Sequence, residues 1–339
     1  MPVTNVMATL ADNRCTPEFV ASLYRAGMRG VRINSAHVTP EIIKKMVSVV
    51  RSVSRDIAIL MDTKGAELRT TATPDNRPFN LETGSVVEIV SSPDRLPDSS
   101  VICLNAAMLG SSVAEGTTVF IDDGEIELTV EKSLPDKLLA RVTKPGVLGS
   151  RKTVNFRGVE INALPAVTYR DKICIEAGIE AGIDIIAHSF VRSKEDVMAV
   201  RQLIDGTPIT LISKIECRPA VINLDDILEA SDGLLCARGD LGAEVGIEHV
   251  PAIEMEVIKR CRKAGKPVIV ATQFLQTMFT EQTPTRAEAG DIASAVMQGA
   301  DTLLLCGETA QGNHPRKCVE WMHSIINATL AYRDNGTLI

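Results

Sequence analysis

The chain has 339 residues, a formal net charge of -7, 45% hydrophobic residues and 3% aromatic residues. That length and apolar content allow a sizeable core in one large domain or two smaller ones, and an acidic chain poor in aromatics is a poor candidate for a nucleic-acid binder. The opening MPVTNVMATLADN lacks a basic region followed by a long apolar run, and no stretch nears the roughly 20 apolar residues of a membrane span, so a cytoplasmic protein without membrane partners is expected. The eight cysteines form no CxxC pair or metal-ligand spacing, which suits buried, reduced thiols.

Short apolar runs recur along the chain: NVMATL (5–10), GVRINS (30–35), IAILMD (57–62), DIIAHSF (184–190), ITLISKIE (209–216), DGLLCA (232–237), PVIVAT (267–272) and DTLLLC (301–306). Most are apolar throughout rather than alternating, as strands buried on both faces are. Amphipathic segments separate them. TPEFVASLYRAG opens with a threonine cap and a proline in the first turn, and TPEIIKKMVSVVRSV (39–53) repeats that opening. YRDKICIEAGIEAG, SKEDVMAVRQLID, PAVINLDDILEAS, VPAIEMEVIKRCRKAG and TRAEAGDIASAVMQGA follow, and HPRKCVEWMHSIINATLAY closes the chain. Eight strands each followed by a helix predict an α/β fold of the (β/α)8 TIM barrel type.

One connection differs. Between LMDTKG and LPAVTYRDK lie SVVEIV, TTVFIDDGEIELTVEK, KLLARVTKPG and KTVNFRG, short β-type runs punctuated by turn residues. They predict a small antiparallel β domain inserted after strand 3. Its removal leaves about 240 residues, close to a typical barrel of this type. The expected domains are 1–65 with 164–339 for the barrel and 66–163 for the insertion.

Active sites of such barrels lie at the C-terminal ends of the strands. Those ends carry Arg32, Asn34 and His37; Asp62, Thr63 and Lys64, then Glu67 and Arg69; Ser189 and Arg192; Lys214 and Glu216; Arg238, Gly239 and Asp240; Thr272 and Gln273; and Gly307 and Glu308. Lys214 and Glu216, two apart on a strand, share a face, and Asp240 ends the next strand, which makes Glu216 and Asp240 expected neighbours across a strand pair. Two hard carboxylates suit magnesium or manganese. Lys214, Arg32 and Arg69 offer positive charge for an anionic substrate, and the set suits phosphoryl transfer, which rests on positioning and charge stabilisation. Any single pair taken alone is more simply a rim salt bridge; their joint occurrence on successive strand ends is what points to chemistry.

MDTKGAELRT, SFVRS, SKIE, ARGDLG, GKPVIVATQFLQTM, PTRAEAGDIASAV and GETAQG resemble, in order and across nearly the whole chain, the pyruvate kinase family. The resemblance implies transfer of a phosphoryl group from phosphoenolpyruvate to ADP, giving pyruvate and ATP, with the insertion as a small β-barrel lid domain. It implies Glu216 and Asp240 as ligands of Mg2+ (or Mn2+), and Lys214 as the lysine that stabilises the transferring group. Arg32 matches a phosphoryl contact, and Thr272 a threonine that helps protonate the enolate carbon. Gly239 and Asp240 match residues bordering the substrate carboxylate. Asn34, His37 and Arg69 match nucleotide and phosphate contacts, and Asn34, Asp62 and Thr63 match ligands of K+.

The chain departs from the family pattern at several points. ATLADNR stands for CTIGPAS, and NSAH for NFSH, so Ala36 replaces a serine that ligates potassium; Glu67, typical of potassium-dependent members, is kept. Ser193 follows SFVR where a lysine is usual, KIEC stands for KIEN, and CGETA for SGETA. The sequence stops after the eighth helix, so the family's C-terminal α/β domain is expected to be absent, and with it activation by sugar phosphates; a homodimer through barrel helices is the assembly left open. Two other readings fit the same residues: a phosphoenolpyruvate or pyruvate sensor with impaired catalysis, and a magnesium-dependent aldolase or lyase acting on pyruvate enolates.

Overall fold

The computed structural model describes residues 4–105, 113–122, 124–157, 159 and 164–337. The boundary expected at 163/164 has its first residue outside that set. Contacts divide the chain into two compact units: Met1–Gly65, Ala166–Gly239 and His249–Ile339 form one, and Ala66–Pro165 with Asp240–Glu248 form the other.

In chain order the elements are β1 (Asn5–Leu10), α1 (Pro17–Arg25), β2 (Met28–Asn34), α2 (Pro40–Val53) and β3 (Ala58–Asp62). The strands of the second unit follow: β4 (Phe79–Leu81), β5 (Val86–Ser91), β6 (Val101–Leu104), β7 (Thr118–Ile121), β8 (Ile126–Ser133), β9 (Lys137–Lys144), β10 (Gly146–Leu148) and β11 (Val154–Phe156). The chain continues with α3 (Tyr169–Ala181), β12 (Ile185–His188), α4 (Lys194–Leu203), β13 (Thr210–Ile215), α5 (Arg218–Ile222), α6 (Leu224–Ala230), β14 (Gly233–Ala237) and α7 (Arg238–Val245). Last come α8 (Val250–Ala264), β15 (Val268–Ala271), α9 (Arg286–Gln298), β16 (Thr302–Leu305), α10 (Gly307–Ala310) and α11 (Pro315–Asn335).

In the first unit β1, β2, β3, β12, β13, β14, β15 and β16 close in that circular order into a barrel, every neighbouring pair parallel. The lumen is filled by Met7, Leu60, Ile212, Leu235, Ile269 and Leu304, so the barrel is a packed core rather than a pore. Helices begin where the sequence supplies caps. The Thr16 side chain accepts the Phe19 N–H and the Thr39 side chain accepts that of Ile42, each followed by proline in the first turn. Thr168 with Asp171, and Thr285 with Glu288, form reciprocal capping boxes. Each threonine cap is worth about 1 kcal/mol.

In the second unit β11, β7, β8, β9, β5 and β6 form a six-stranded sheet, with β4 and β10 as a separate ribbon. Arg69 bridges Thr153 and Thr70 bridges Leu104, so the short segment between them joins the two edges of the sheet into a small closed barrel. Val87, Ile89, Leu128, Leu138 and Phe156 lie in its core. The pairing is antiparallel except between β5 and β6, which run parallel. A purely antiparallel domain is therefore corrected: a connection of several residues carries the chain back before β6, where a tight hairpin would have reversed it.

Two barrel elements also differ from the sequence reading. PAVINLDDILEAS forms two helices, α5 and α6, broken at Asn223. Arg238, Gly239 and Asp240 do not end a strand; β14 stops at Ala237 and α7 starts at Arg238. The β13–β14 ladder pairs Ile215 with Cys236, so the level of Glu216 is that of Ala237, and Asp240 lies beyond it in the first turn of α7. The two carboxylates are thus not opposite residues of one strand pair.

Candidate active site

The C-terminal rim of the first unit gathers a chain of buried charges. Arg32 stands near the end of β2, and its Nε donates to Asp62 Oδ2 at 2.7 Å, with Nη2 at 2.5 Å from the same oxygen. Asp62 ends β3, and its Oδ1 lies 3.2 Å from Lys214 Nζ. Lys214 also meets Glu216 Oε2 at 3.0 Å. Side-chain exposure is 2% for Asp62, 9% for Lys214 and 0% for Glu216. Charges so buried persist only when paired and hydrogen-bonded, and removing one partner of such a set costs about 3–5 kcal/mol.

The hub of this chain is Ser189, just past β12. Its hydroxyl has one proton and two acceptors within reach, Asp62 Oδ1 at 2.9 Å and the Thr63 carbonyl at 2.7 Å, and it accepts from Lys214 Nζ at 2.9 Å. Its N–H donates to Thr63 Oγ1 at 2.9 Å. The next residue, Phe190, has φ 53°, and its N–H donates to Glu216 Oε1 at 2.6 Å. The sequence placed Ser189 on the rim but assigned it no role, and gave Phe190 none. The available signal was a pair of polar residues, His188 and Ser189, ending an apolar run, IIAHS.

Electrostatics follow from this packing. Burial alone would raise the pKa of Asp62, but Lys214 and Arg32 outweigh it and hold the carboxyl below its ordinary value. Burial disfavours the charged form of Arg32, and Asp62 more than offsets that, so the guanidinium stays charged with a raised pKa. Lys214 is therefore a cation fixed among two carboxylates and a hydroxyl, with little freedom to reorganise.

The remaining rim residues divide into groups. Asn34 pairs with Asp62 in the β2–β3 ladder, and its Oδ1 accepts the Ala36 N–H at 3.1 Å. His37 is exposed in the turn that follows. Arg170 of α3 fastens that turn, with Nη2 donating to the carbonyls of Ser35 at 3.1 Å and Val38 at 2.8 Å. Thr272 follows β15, and its Oγ1 accepts the Gly239 N–H at 2.8 Å. Glu308 is buried and accepts the N–H groups of Leu275 at 3.2 Å and Cys306 at 2.9 Å, which gives it a structural use. Arg192 is engaged by Asp196, four residues on in α4. The structure thus brings Arg32, Asp62, Thr63, Lys214 and Glu216 into one network, and Thr272 and Gly239 into a second contact.

Two of the expected residues belong to the other unit. Arg69 there pairs through Nε with Glu67 at 2.5 Å, and its Nη1 donates to the Arg151 carbonyl at 2.8 Å. Asp240 is exposed in α7. Among the described residues no cluster of three or more His, Cys, Asp or Glu side chains could hold a metal ion.

A parallel eightfold barrel with a charged C-terminal rim is compatible with many chemistries. The decisive observation is that the model of the pyruvate kinase barrel domain matches residues 1–319. The chain belongs to the pyruvate kinase family. It is 40% identical to pyruvate kinase of Borreliella burgdorferi over 334 residues, covering 98% of this chain and 69% of that protein. It is 38% identical to Homo sapiens pyruvate kinase PKLR over 339 residues, covering 95% of this chain and 59% of that protein. Among solved structures, a pyruvate kinase from Cryptosporidium parvum superposes with a TM-score of 0.92 at 33% identity, over 97% of this chain and 69% of the other. Against two further bacterial pyruvate kinases, from Bacillus licheniformis and Geobacillus stearothermophilus, the chain spans 57% and 58% of the relative's length.

Proposed function

We propose that this pyruvate kinase family member transfers the phosphoryl group of phosphoenolpyruvate to ADP, forming pyruvate and ATP. The observation that carries the proposal is the buried Arg32–Asp62–Lys214–Glu216 chain, organised by Ser189, at the rim where such barrels work. Phosphoryl transfer needs little covalent help from a protein; it needs held charges around the group in flight. Lys214 supplies one such charge and Arg32 another, both fixed before substrate arrives. Thr272 is assigned to protonation of the enolate. The enolate carbon's electron pair takes the proton as the carbonyl of pyruvate forms, and the hydroxyl is restored from water. Gly239 and Asp240 are assigned to the substrate carboxylate, and Asn34, His37 and Arg69 to nucleotide and phosphate.

Glu216 and Asp240 would hold Mg2+ (or Mn2+); hard carboxylate oxygens are the donors that cation takes. When bound, the ion neutralises charge on the phosphoryl and enolate oxygens. Asn34, Asp62 and Thr63 would hold K+, supported by the direct pairing of Asn34 with Asp62 in the ladder and the oxygen donors of all three. Ala36 contributes no hydroxyl there. Residues 66–163 are assigned as an inserted lid domain, and eight cysteines that form no disulfide favour a reducing, cytoplasmic compartment. No helix among the described residues is long and apolar enough to cross a membrane. Ile222, 71% exposed, and Met255, 50% exposed, favour barrel helices as the contact of a homodimer.

Lys214→Met tests the assignment. Steady-state ATP formation should fall by about 10²-fold or more, the scale of losing a preorganised charge at the reacting group. Phosphoenolpyruvate binding in the presence of magnesium, read by calorimetry, should persist. Wild-type turnover in this variant would remove Lys214 from the mechanism.

A further inference from the structure

Thr272 and Gln273 leave β15 with φ of 78° and 56°. Left-handed backbone at a β-branched residue is an outlier that persists only when its surroundings over-determine it. Arg238 does so. Its Nε and Nη2 both donate to the Thr272 carbonyl, at 3.2 and 2.6 Å. Its Nη1 reaches Glu254 of α8 at 3.2 Å and Asp291 of α9 at 2.9 Å. The guanidinium lies over the Phe274 ring, 4.0 Å from its centroid. On the other side of the same residue, Thr272 Oγ1 accepts the Gly239 N–H.

An arginine at a barrel rim invites assignment as an anion binder. Here the side chain is 9% exposed and its fork is spent on protein: one edge on a carbonyl, the other on two carboxylates. We infer that Arg238, anchored by Glu254 and Asp291, is the positioning residue for Thr272. It clamps the carbonyl of the strained residue and thereby fixes where the threonine hydroxyl stands. This rests on the assignment of Thr272 to enolate protonation. The planar fork is essential, because it binds the carbonyl with two parallel donors while a third nitrogen holds the carboxylates; a lysine ammonium keeps the charge and loses that geometry.

Exchange of the pyruvate methyl protons in D2O, with magnesium, potassium and inorganic phosphate, reads the proton step without phosphoryl transfer. Thr272→Ala should slow exchange by about 10²-fold, as loss of a general acid–base group does. Arg238→Lys should slow exchange by a comparable factor with little change in the KM for phosphoenolpyruvate, a split a merely structural role would not produce. The double variant should be no slower than Thr272→Ala, because the clamp acts only through that hydroxyl. Wild-type exchange in Arg238→Lys, or losses that multiply in the double variant, would overturn the inference while leaving Thr272 in its role. Wild-type exchange in Thr272→Ala would overturn both. Should Arg238→Lys fail to fold, Asp291→Asn, at a half-exposed carboxylate, is the substitute: slowed exchange at unchanged KM supports the clamp, and unaltered exchange refutes it.

Discussion

His188 ends β12 one residue before the hub serine. Its Nε2 lies 2.9 Å from the Ala166 carbonyl, which can only accept, so the ring donates from Nε2 and leaves Nδ1 without a proton. Nδ1 is buried with no hydrogen-bond partner among the described residues. Burial lowers the pKa of this ring. The sign follows directly: below the unfolded value of about 6.5 the unfolded chain binds a proton that the folded chain refuses, so stability falls as pH drops through that value. The loss is about 1.4 kcal/mol per pH unit for one group until the folded pKa is reached. Urea unfolding at pH 7.5 and 5.5 should therefore show a smaller acid-induced loss in His188→Gln than in the wild type. Equal losses would clear His188. Asp62 acts in the same direction further down the scale: its folded pKa is depressed, so its contribution is complete above the unfolded value of about 3.9 and is lost as pH falls through the folded one.

At the level of elements, the turn after β3 sets the hub. Gly65 has φ 71°, and a Cβ there would stand 2.8 Å from Phe190 Cδ2 and 2.9 Å from Ser189 Cβ. Gly65→Ala should cost about 1–3 kcal/mol of backbone strain and push on the two residues that hold Lys214 and Glu216, so turnover should fall as well. Gly182→Ala is the matched control: φ is 81°, but nothing lies within 4 Å, so denaturation should register the strain and turnover should not change. A Gly65→Ala protein with wild-type turnover would show that the turn does not support the site. What the sequence could show at this scale is physical. Apolar runs buried on both faces and threonine–proline openings mark strands and helix starts without tertiary help, and both appear in the structure. The left-handed residues Phe190 and Thr272 were illegible, because neither residue type advertises positive φ; tertiary hydrogen bonds impose it. The start of α7 at Arg238 was missed for a related reason: ARGDLG follows an apolar run with no capping residue to mark a boundary.

Across the whole molecule, two cores coexist: one inside the parallel barrel, one inside the small β-barrel of the second unit. The change from strand–helix alternation to strands alone made the second core visible in the sequence. The grouping of Asp240–Glu248 with that unit was not visible, since it depends on contacts between residues far apart in the chain. The rim charges were legible as a set because the fold collects strand ends in one place. The contacts of Ser189 with those charges and of Arg238 with Thr272 were not legible, because each joins residues far apart in the chain. The most direct measurement is phosphorus NMR of the protein with phosphoenolpyruvate, ADP and magnesium, with and without potassium. We expect the β-phosphate resonance of ATP to grow as that of phosphoenolpyruvate declines, faster with potassium present. Phosphoenolpyruvate that binds without yielding ATP under either condition would contradict phosphoryl transfer and leave the buried rim charges to a sensor or a lyase.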